Sequence, residues 1–332
     1  MSKKDKLYPD TKNGIYSYEY PEINGMKQYV QIRGCDRNNP VMLFLHGGPG
    51  GSVAGCCDFM QCGWEKEYTV VNYDQRNTCK TYLANKEKSL EIAENSTLSD
   101  YLDDVDGVIG YLHTVLNFNK IIIVGFSWGS LIGAEYVKLH PEKIEKYLSI
   151  GQCVNFGESV AYICGELKKL TNDPIELEAI RQITEKCTSV NDMSGDFLRN
   201  MQKFGMLGAK YIAKDSKRLP IGKILCSPYM NFREKKAMLL SDWKLNKSAF
   251  RLLLNYDFRD NMNFNVPVMF VFGSEDTSCP SKMLADCFEN ITAPSKKLCI
   301  IEKAGHSCFF DMPEEFGAEM RKFITDDSHS LS

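Results

Sequence analysis

Ser127 sits in the pentapeptide Gly125-Phe126-Ser127-Trp128-Gly129. A hydroxyl flanked at two residues on either side by glycine is the arrangement used for nucleophilic acyl transfer. A serine hydroxyl is a poor nucleophile at neutral pH, so it needs a base within hydrogen-bond reach and a third group to orient that base. Attack on a carbonyl also creates an oxyanion, which needs backbone N–H donors fixed in advance. The competing reading of the pentapeptide is an ordinary glycine-flanked turn between a strand and a helix.

The flanking residues bear on that choice. Ile121-Ile122-Ile123-Val124 is β-branched and apolar, as a strand buried on both faces would be. From Ser130 to His140 the apolar residues Leu131, Ala134, Val137 and Leu139 fall near helical spacing, and Pro141 ends the run. A strand that turns at once into a helix strains the backbone of the turn residue and crowds its neighbours, so Gly125 and Gly129 are where the smallest residue is required. The context is that of a nucleophile elbow.

On a sheet that carries such an elbow, the acid and then the histidine follow the serine in the chain. Five histidines are present. His46 and His113 precede Ser127, His140 closes the elbow helix next to Pro141, and His329 lies in the polar tail Asp326-Asp327-Ser328-His329. His306, in Lys303-Ala304-Gly305-His306-Ser307 just past an apolar run, is the expected base; the bland reading is a surface loop histidine. The acid belongs on the loop after the preceding strand, Val266 to Gly273, where Glu275 and Asp276 stand side by side. Asp276 is preferred, with Glu275 one residue away as the alternative. For the oxyanion, one donor is the N–H of Trp128. The other comes from His46-Gly47-Gly48-Pro49-Gly50-Gly51, at Gly48 or Gly47, because Pro49 has no N–H.

These residues need elements to place them. Val41–Leu45 and residues 68–74 read as strands, and Asn24-Gly25 as the turn of an opening antiparallel hairpin within 14–34. Thr97 with Asp100 forms a capping box for a helix whose Leu98, Leu102, Val105, Ile109 and Leu112 keep helical period. Residues 146–152 read as the next strand. Alternating strand and helix implies an α/β fold with a mostly parallel, doubly wound sheet covered on both faces. That rhythm stops near residue 152 and resumes near 261 with 266–273, a helix near 281–290, a strand at 298–305 and a closing helix from Pro313. The expected organisation is a core in two parts, 1–152 and 261–332, with an inserted helical cap over 153–260 above the carboxyl ends of the strands, where open α/β sheets bind ligands.

Composition excludes several classes. The chain has 332 residues, 43% of them hydrophobic and 25% charged, with a formal net charge of −3, which offers no basic surface for nucleic acid. No run approaches the ~18 consecutive apolar residues of a membrane helix, and no secretory leader follows the charged start Met1-Ser2-Lys3-Lys4. Thirteen scattered cysteines, with no C-x-x-C pair, read as reduced and mostly buried residues of a cytoplasmic protein. No metal or organic cofactor is implied. The expected partner is a small-molecule or short-peptide substrate, with neither nucleic acid nor membrane, and oligomeric state is left open.

In order, Leu45 to Gly51, Tyr73 to Arg76, Gly125 to Tyr136, Phe272 to Pro280 and Lys303 to Ser307 resemble the α/β-hydrolase superfamily, specifically its proline iminopeptidase-like (peptidase S33) group. The likeness runs from about Lys27 to Ile324 and is weakest in the insertion. It implies Ser127, Asp276 and His306 as triad, Gly48 and Trp128 as oxyanion hole, and a serine hydrolase that forms an acyl-enzyme on a small amide or ester. Aminopeptidase action is the leading expectation, carboxylesterase or lipase-like action the alternative, and a non-catalytic binding protein on the same fold the rival of another class. Members with a carboxylate nucleophile, epoxide hydrolases and haloalkane dehalogenases, are disfavoured by Ser127. The group's glycine-x-glycine after Asp74-Gln75-Arg76 is replaced here by Asn77-Thr78-Cys79, and an arginine there commonly braces loops. Iminopeptidases also hold the substrate ammonium with cap carboxylates. Glu158, Glu166 and Asp242 are available for that, against the general tendency of such charges to face water.

Overall fold

The computed structural model describes residues 12–187, 195–217, 220–239 and 243–326. Eight strands form one sheet: β1 (Ile15–Glu19), β2 (Val30–Gly34), β3 (Val41–Leu45), β4 (Thr69–Tyr73), β5 (Ile121–Phe126), β6 (Ile144–Ile150), β7 (Val268–Gly273) and β8 (Lys296–Ile301). Their spatial order is β1-β2-β4-β3-β5-β6-β7-β8. β1 with β2 and β2 with β4 are antiparallel, and every later pair is parallel. The expected opening hairpin is present, although Asn24-Gly25 turns a separate ribbon of Glu22–Ile23 against Met26–Lys27 rather than joining β1 to β2 directly.

Alternate residues of each central strand enter different layers, which is why the strands read as unbroken apolar runs. Leu43, Leu45, Ile121, Ile123 and Phe270 pack in one core with α1 (Leu98–Val115) and α2 (Trp128–Leu139). Met42, Phe44, Ile122, Val124 and Met269 pack in the other with Trp64 and the closing helix. Thr97 caps α1 as expected: its side chain accepts from the Asp100 N–H, and Asp100 accepts in return from the Thr97 N–H at 2.8 Å. Each fully buried aliphatic side chain adds about 1.5–3 kcal/mol, so the two layers dominate the stability of the sheet.

Between β6 and β7 the described residues form helices and no strand. α3 (Phe156–Leu170), α4 (Pro174–Cys187) and α5 (Gly195–Tyr211) close on a hydrophobic core of their own, built on Val160, Ile163, Leu167, Ile180, Ile183 and Phe204. The rest of the insertion behaves differently. Ile224 and Met230 join the sheet's second core, while Ala249 and Leu253 of α6 (Lys247–Asn255) join the first. The three-helix core thus takes up only part of the insertion.

α7 (Pro313–Thr325) starts at the proline anticipated for it and lays Phe316, Met320 and Phe323 on the sheet. Among the described residues, no helix is long and apolar enough to cross a membrane.

Candidate active site

At the carboxyl end of β5 the chain passes into α2 through Ser127, whose φ of 54° and ψ of −121° are strained for a non-glycine residue. The turn is crowded: a Cβ at Gly129 would sit 2.1 Å from the Leu45 carbonyl oxygen, and one at Gly125 2.6 Å from the Gly129 carbonyl oxygen. Only glycine fits at either place. The Ser127 N–H donates to Ile150 of the neighbouring strand at 2.9 Å, which fixes the elbow to β6. Trp128 is the first residue of α2, so its N–H has no acceptor within the helix.

The loop after β3 runs beside this elbow, close enough that a Cβ on Gly47 would lie 3.0 Å from Ser127 Cβ. Gly48 lines the same cavity as Ser127 and His306. A buried polar network holds that loop. The Gln75 N–H donates to His46 Nε2 at 3.1 Å, Gln75 Nε2 donates to the His46 carbonyl at 3.0 Å, and the Trp128 indole N–H donates to Gln75 Oε1 at 2.8 Å. His46 Nδ1, 2.9 Å from the Gly47 carbonyl, carries the ring proton. Burial drives the His46 pKa down to about 4, so the ring stays neutral and can accept from Gln75. Arg76 meets Asp104 through two hydrogen bonds of 2.5 and 3.0 Å, as the bracing reading of this stretch expected.

His306 follows β8, and its Nδ1 lies 2.8 Å from Asp276 Oδ2 and 3.0 Å from Oδ1. Of the two adjacent carboxylates, the one in contact with the imidazole is that of Asp276. Asp276 is itself fixed, since Oδ1 accepts the N–H groups of Ser278 and Cys279, each at 2.8 Å. Burial works against a charged His306 ring, but the charge and hydrogen bond of Asp276 outweigh it, and the net shift of its pKa is upward. The other histidines lie elsewhere: His113 stacks on Phe118 and His140 pairs with Glu142. His329 falls outside the described residues.

Three positioning residues were not found by sequence reasoning. Gly151, at φ +58°, passes so close to the pair that a Cβ there would stand 3.1 Å from His306 Cε1 and 3.3 Å from Asp276 Oδ2. Asp311 holds the histidine loop, accepting from the Gly305 N–H at 2.8 Å and from Ser216 Oγ at 3.0 Å. Gln75 is the third. Its motif was visible as Asp-Gln-Arg, but nothing in the string places its side chain between His46 and Trp128.

Ser127 and His306 open on a cavity of about 670 Å³, within the range of small-molecule sites. α3 contributes Phe156 and Val160, α5 contributes Phe197, Leu198, Met201 and Phe204, and α6 contributes Phe250, Leu253 and Leu254. Besides Ser127, His306 and the thiols of Cys153 and Cys279, the polar lining is Asn155, Ser159, Gln202, Ser278 and Ser307. No carboxylate is among the described lining residues.

The cap glutamates expected to hold an ammonium group lie outside the cavity. Glu158 stands two residues from Phe156 on α3 and so points about 200° around the helix from it. There it meets Arg259 through hydrogen bonds of 2.7 and 3.0 Å. Glu166 lies seven residues, about 10 Å, beyond Ser159 along the same helix, and pairs with Lys169 at 2.6 Å. Asp242 falls outside the described residues.

Comparison with known proteins agrees with the fold. Residues 40–313 match the family model described as the alpha/beta hydrolase fold. A relative from Bacillus subtilis (strain 168), "Probable aminopeptidase YbaC", is 25% identical over 92% of this chain and 95% of its own length. The solved proline iminopeptidase of Mycobacterium smegmatis superposes with a TM-score of 0.65 at 17% identity, covering 96% of this chain and 99% of that one. An esterase from Exiguobacterium antarcticum gives 0.60 at 16% identity, covering 94% of this chain and 100% of its own. With its strand order and with 40–313 matched to the family, the chain belongs to the α/β hydrolase fold family.

Proposed function

We propose that the protein is a serine hydrolase that transfers an apolar acyl group from a small ester to water through an acyl-enzyme on Ser127. His306 takes the hydroxyl proton as Ser127 attacks the carbonyl and returns it to the leaving alcohol. Asp276 keeps the imidazole in the needed tautomer and supports its charge. The N–H of Trp128 and one from Gly47-Gly48 receive the oxyanion. Water activated by His306 then releases the acid and frees Ser127.

The observation that carries the substrate class is the lining of the cavity that holds Ser127 and His306, apolar on three helices with no carboxylate among the described residues. An acyl chain is stabilised there by area removed from water, at roughly 25 cal/mol per Å². A substrate ammonium would lose its hydration without gaining a carboxylate partner. The lining is the support for putting the ester reading ahead of the aminopeptidase reading in this proposal.

Aminopeptidase action is retained as the second reading because of the similarity to the relative named as a probable aminopeptidase, which spans 92% of this chain. In that case the amine would rest on neutral oxygens of Asn155 or Gln202. A cytoplasmic setting remains part of the proposal, in keeping with thirteen cysteines and no C-x-x-C pair. Assaying p-nitrophenyl esters of increasing acyl length beside aminoacyl-β-naphthylamides tests the reading. Higher kcat/KM on medium-chain esters supports it, and turnover confined to the amides overturns it in favour of the second.

A further inference from the structure

Cys153 and Cys279 are 126 residues apart in sequence, yet their sulfurs lie 3.7 Å apart. They sit on the loops after β6 and β7, neighbouring strands of the sheet, and both line the cavity that holds Ser127 and His306. Their backbones belong to the framework of the site: the Cys279 N–H is one of the two that fix Asp276, and the Cys153 N–H donates to Ser130 Oγ at 3.0 Å. Neither thiol has a part in the acyl transfer described above.

We propose that Cys153 and Cys279 are a peroxide-sensitive dithiol in the cavity wall, whose oxidation to an intramolecular disulfide suppresses the adjoining Ser127–His306 site. The roles of the two sulfurs differ. Cys153 is held below the usual thiol range, first by its contact with the Cys279 sulfur and then, against the cost of burial, by the neighbouring His306; Cys279 is pushed up by the same contact. Cys153 is also the more exposed of the two. The Cys153 thiolate attacks one oxygen of hydrogen peroxide, the O–O bond breaks, and the departing hydroxide takes up a proton to leave as water. Cys153 is then a sulfenic acid. The Cys279 sulfur attacks that sulfur, the S–O bond breaks, and the thiol proton leaves with the hydroxyl as a second water. Two thiols and one peroxide give one disulfide and two waters.

Closing the bond draws the sulfurs from 3.7 Å to about 2.0 Å. The strain falls on residues 276–279, because the N–H groups of Ser278 and Cys279 hold Asp276. Displacement of about 1 Å at a reacting group costs up to about a hundredfold in rate. The suppression rests on the serine-hydrolase reading; the formation of the disulfide does not.

The test uses the full chain, reduced, freed of reductant and titrated with hydrogen peroxide. Remaining thiols are alkylated, and non-reduced peptides are mapped by mass. A fluorophosphonate probe is applied in parallel. The expected result is a joined pair of peptides carrying Cys153 and Cys279, two hydrogens lighter than their sum. Probe labelling should fall in step with it by about tenfold or more, and dithiothreitol should restore both. In Cys279→Ser, dimedone should trap a sulfenic acid on Cys153, and in Cys153→Ser labelling should lose its reversible response to peroxide relative to its own untreated level. Cross-links between other cysteines with this pair left reduced overturn the proposal, as does a joined pair that leaves labelling intact. A reduced protein that never takes the probe counts against the serine-hydrolase reading instead, and the peptide map still decides the fate of the two thiols.

Discussion

The Trp128 indole N–H donates to Gln75 Oε1 at 2.8 Å, and the same side chain donates to the His46 carbonyl at 3.0 Å. One amide thereby ties the elbow helix to the loop that flanks Ser127, from a position on neither. In the proposed mechanism the Trp128 backbone N–H receives the oxyanion, while its ring anchors the loop opposite. Gln75→Leu should lower kcat about tenfold with KM nearly unchanged, since the loosened loop would misplace an oxyanion donor. It should also destabilise the fold by about 1–3 kcal/mol, the cost of an unpaired buried N–H. Steady-state kinetics beside denaturant titration checks both, and a rise in KM alone would remove Gln75 from this role.

Asp276 raises the affinity of His306 for a proton despite burial. The base acts only when neutral, so kcat/KM should fall as pH drops through the His306 pKa, and the acid limb should lie above the ordinary imidazole value near 6.5. Asp276→Asn removes the charge that raises it. The limb should move to lower pH, and kcat should drop about 10⁴-fold. A pH–rate profile with an unmoved limb would separate His306 from Asp276 functionally.

Glu158 is spent on Arg259 at a half-exposed position, and such pairs contribute little, about 1 kcal/mol or less. Glu158→Gln should leave KM unchanged for both a free-amine substrate and its N-acetylated counterpart. A rise in KM for the free amine only would restore this glutamate to ammonium binding.

Met201 projects from α5 into the cavity beside Leu198. Met201→Trp should fill part of that volume. Esters of long acyl chains should lose about tenfold in kcat/KM while acetyl esters are spared, since each buried methylene is worth about 0.8 kcal/mol. Equal losses across chain lengths would place the acyl group elsewhere.

Much of this site could be read from the string because local crowding leaves a local signature. Gly125, the strand before Ser127 and the helix after it are set by contacts within a few residues, whereas Gly129 is required by the approach of Leu45 and His46. Asp276 and His306 were legible by chain order and by their places after apolar runs. What the string hid depends on packing between distant segments. The facing of Glu158 follows from which side of α3 meets α5, and Gly151 is glycine because two loops from later in the chain converge on it. Two of the thirteen cysteines touch only because β6 and β7 are neighbours, a fact of topology with no trace in spacing. Ile224, Met230, Ala249 and Leu253 belong to the insertion yet pack in the two sheet cores, a pairing between distant segments that spacing does not reveal.

The central claim is an acyl-enzyme on Ser127, and mass measurement of the protein quenched in acid during turnover of a p-nitrophenyl ester tests it most directly. The account predicts an adduct of the acyl mass mapping to the peptide that carries Ser127, absent from Ser127→Ala, a variant that should stay folded and lose about 10⁴- to 10⁶-fold in kcat. An adduct on another residue, or Ser127→Ala activity within a few-fold of wild type, would contradict it.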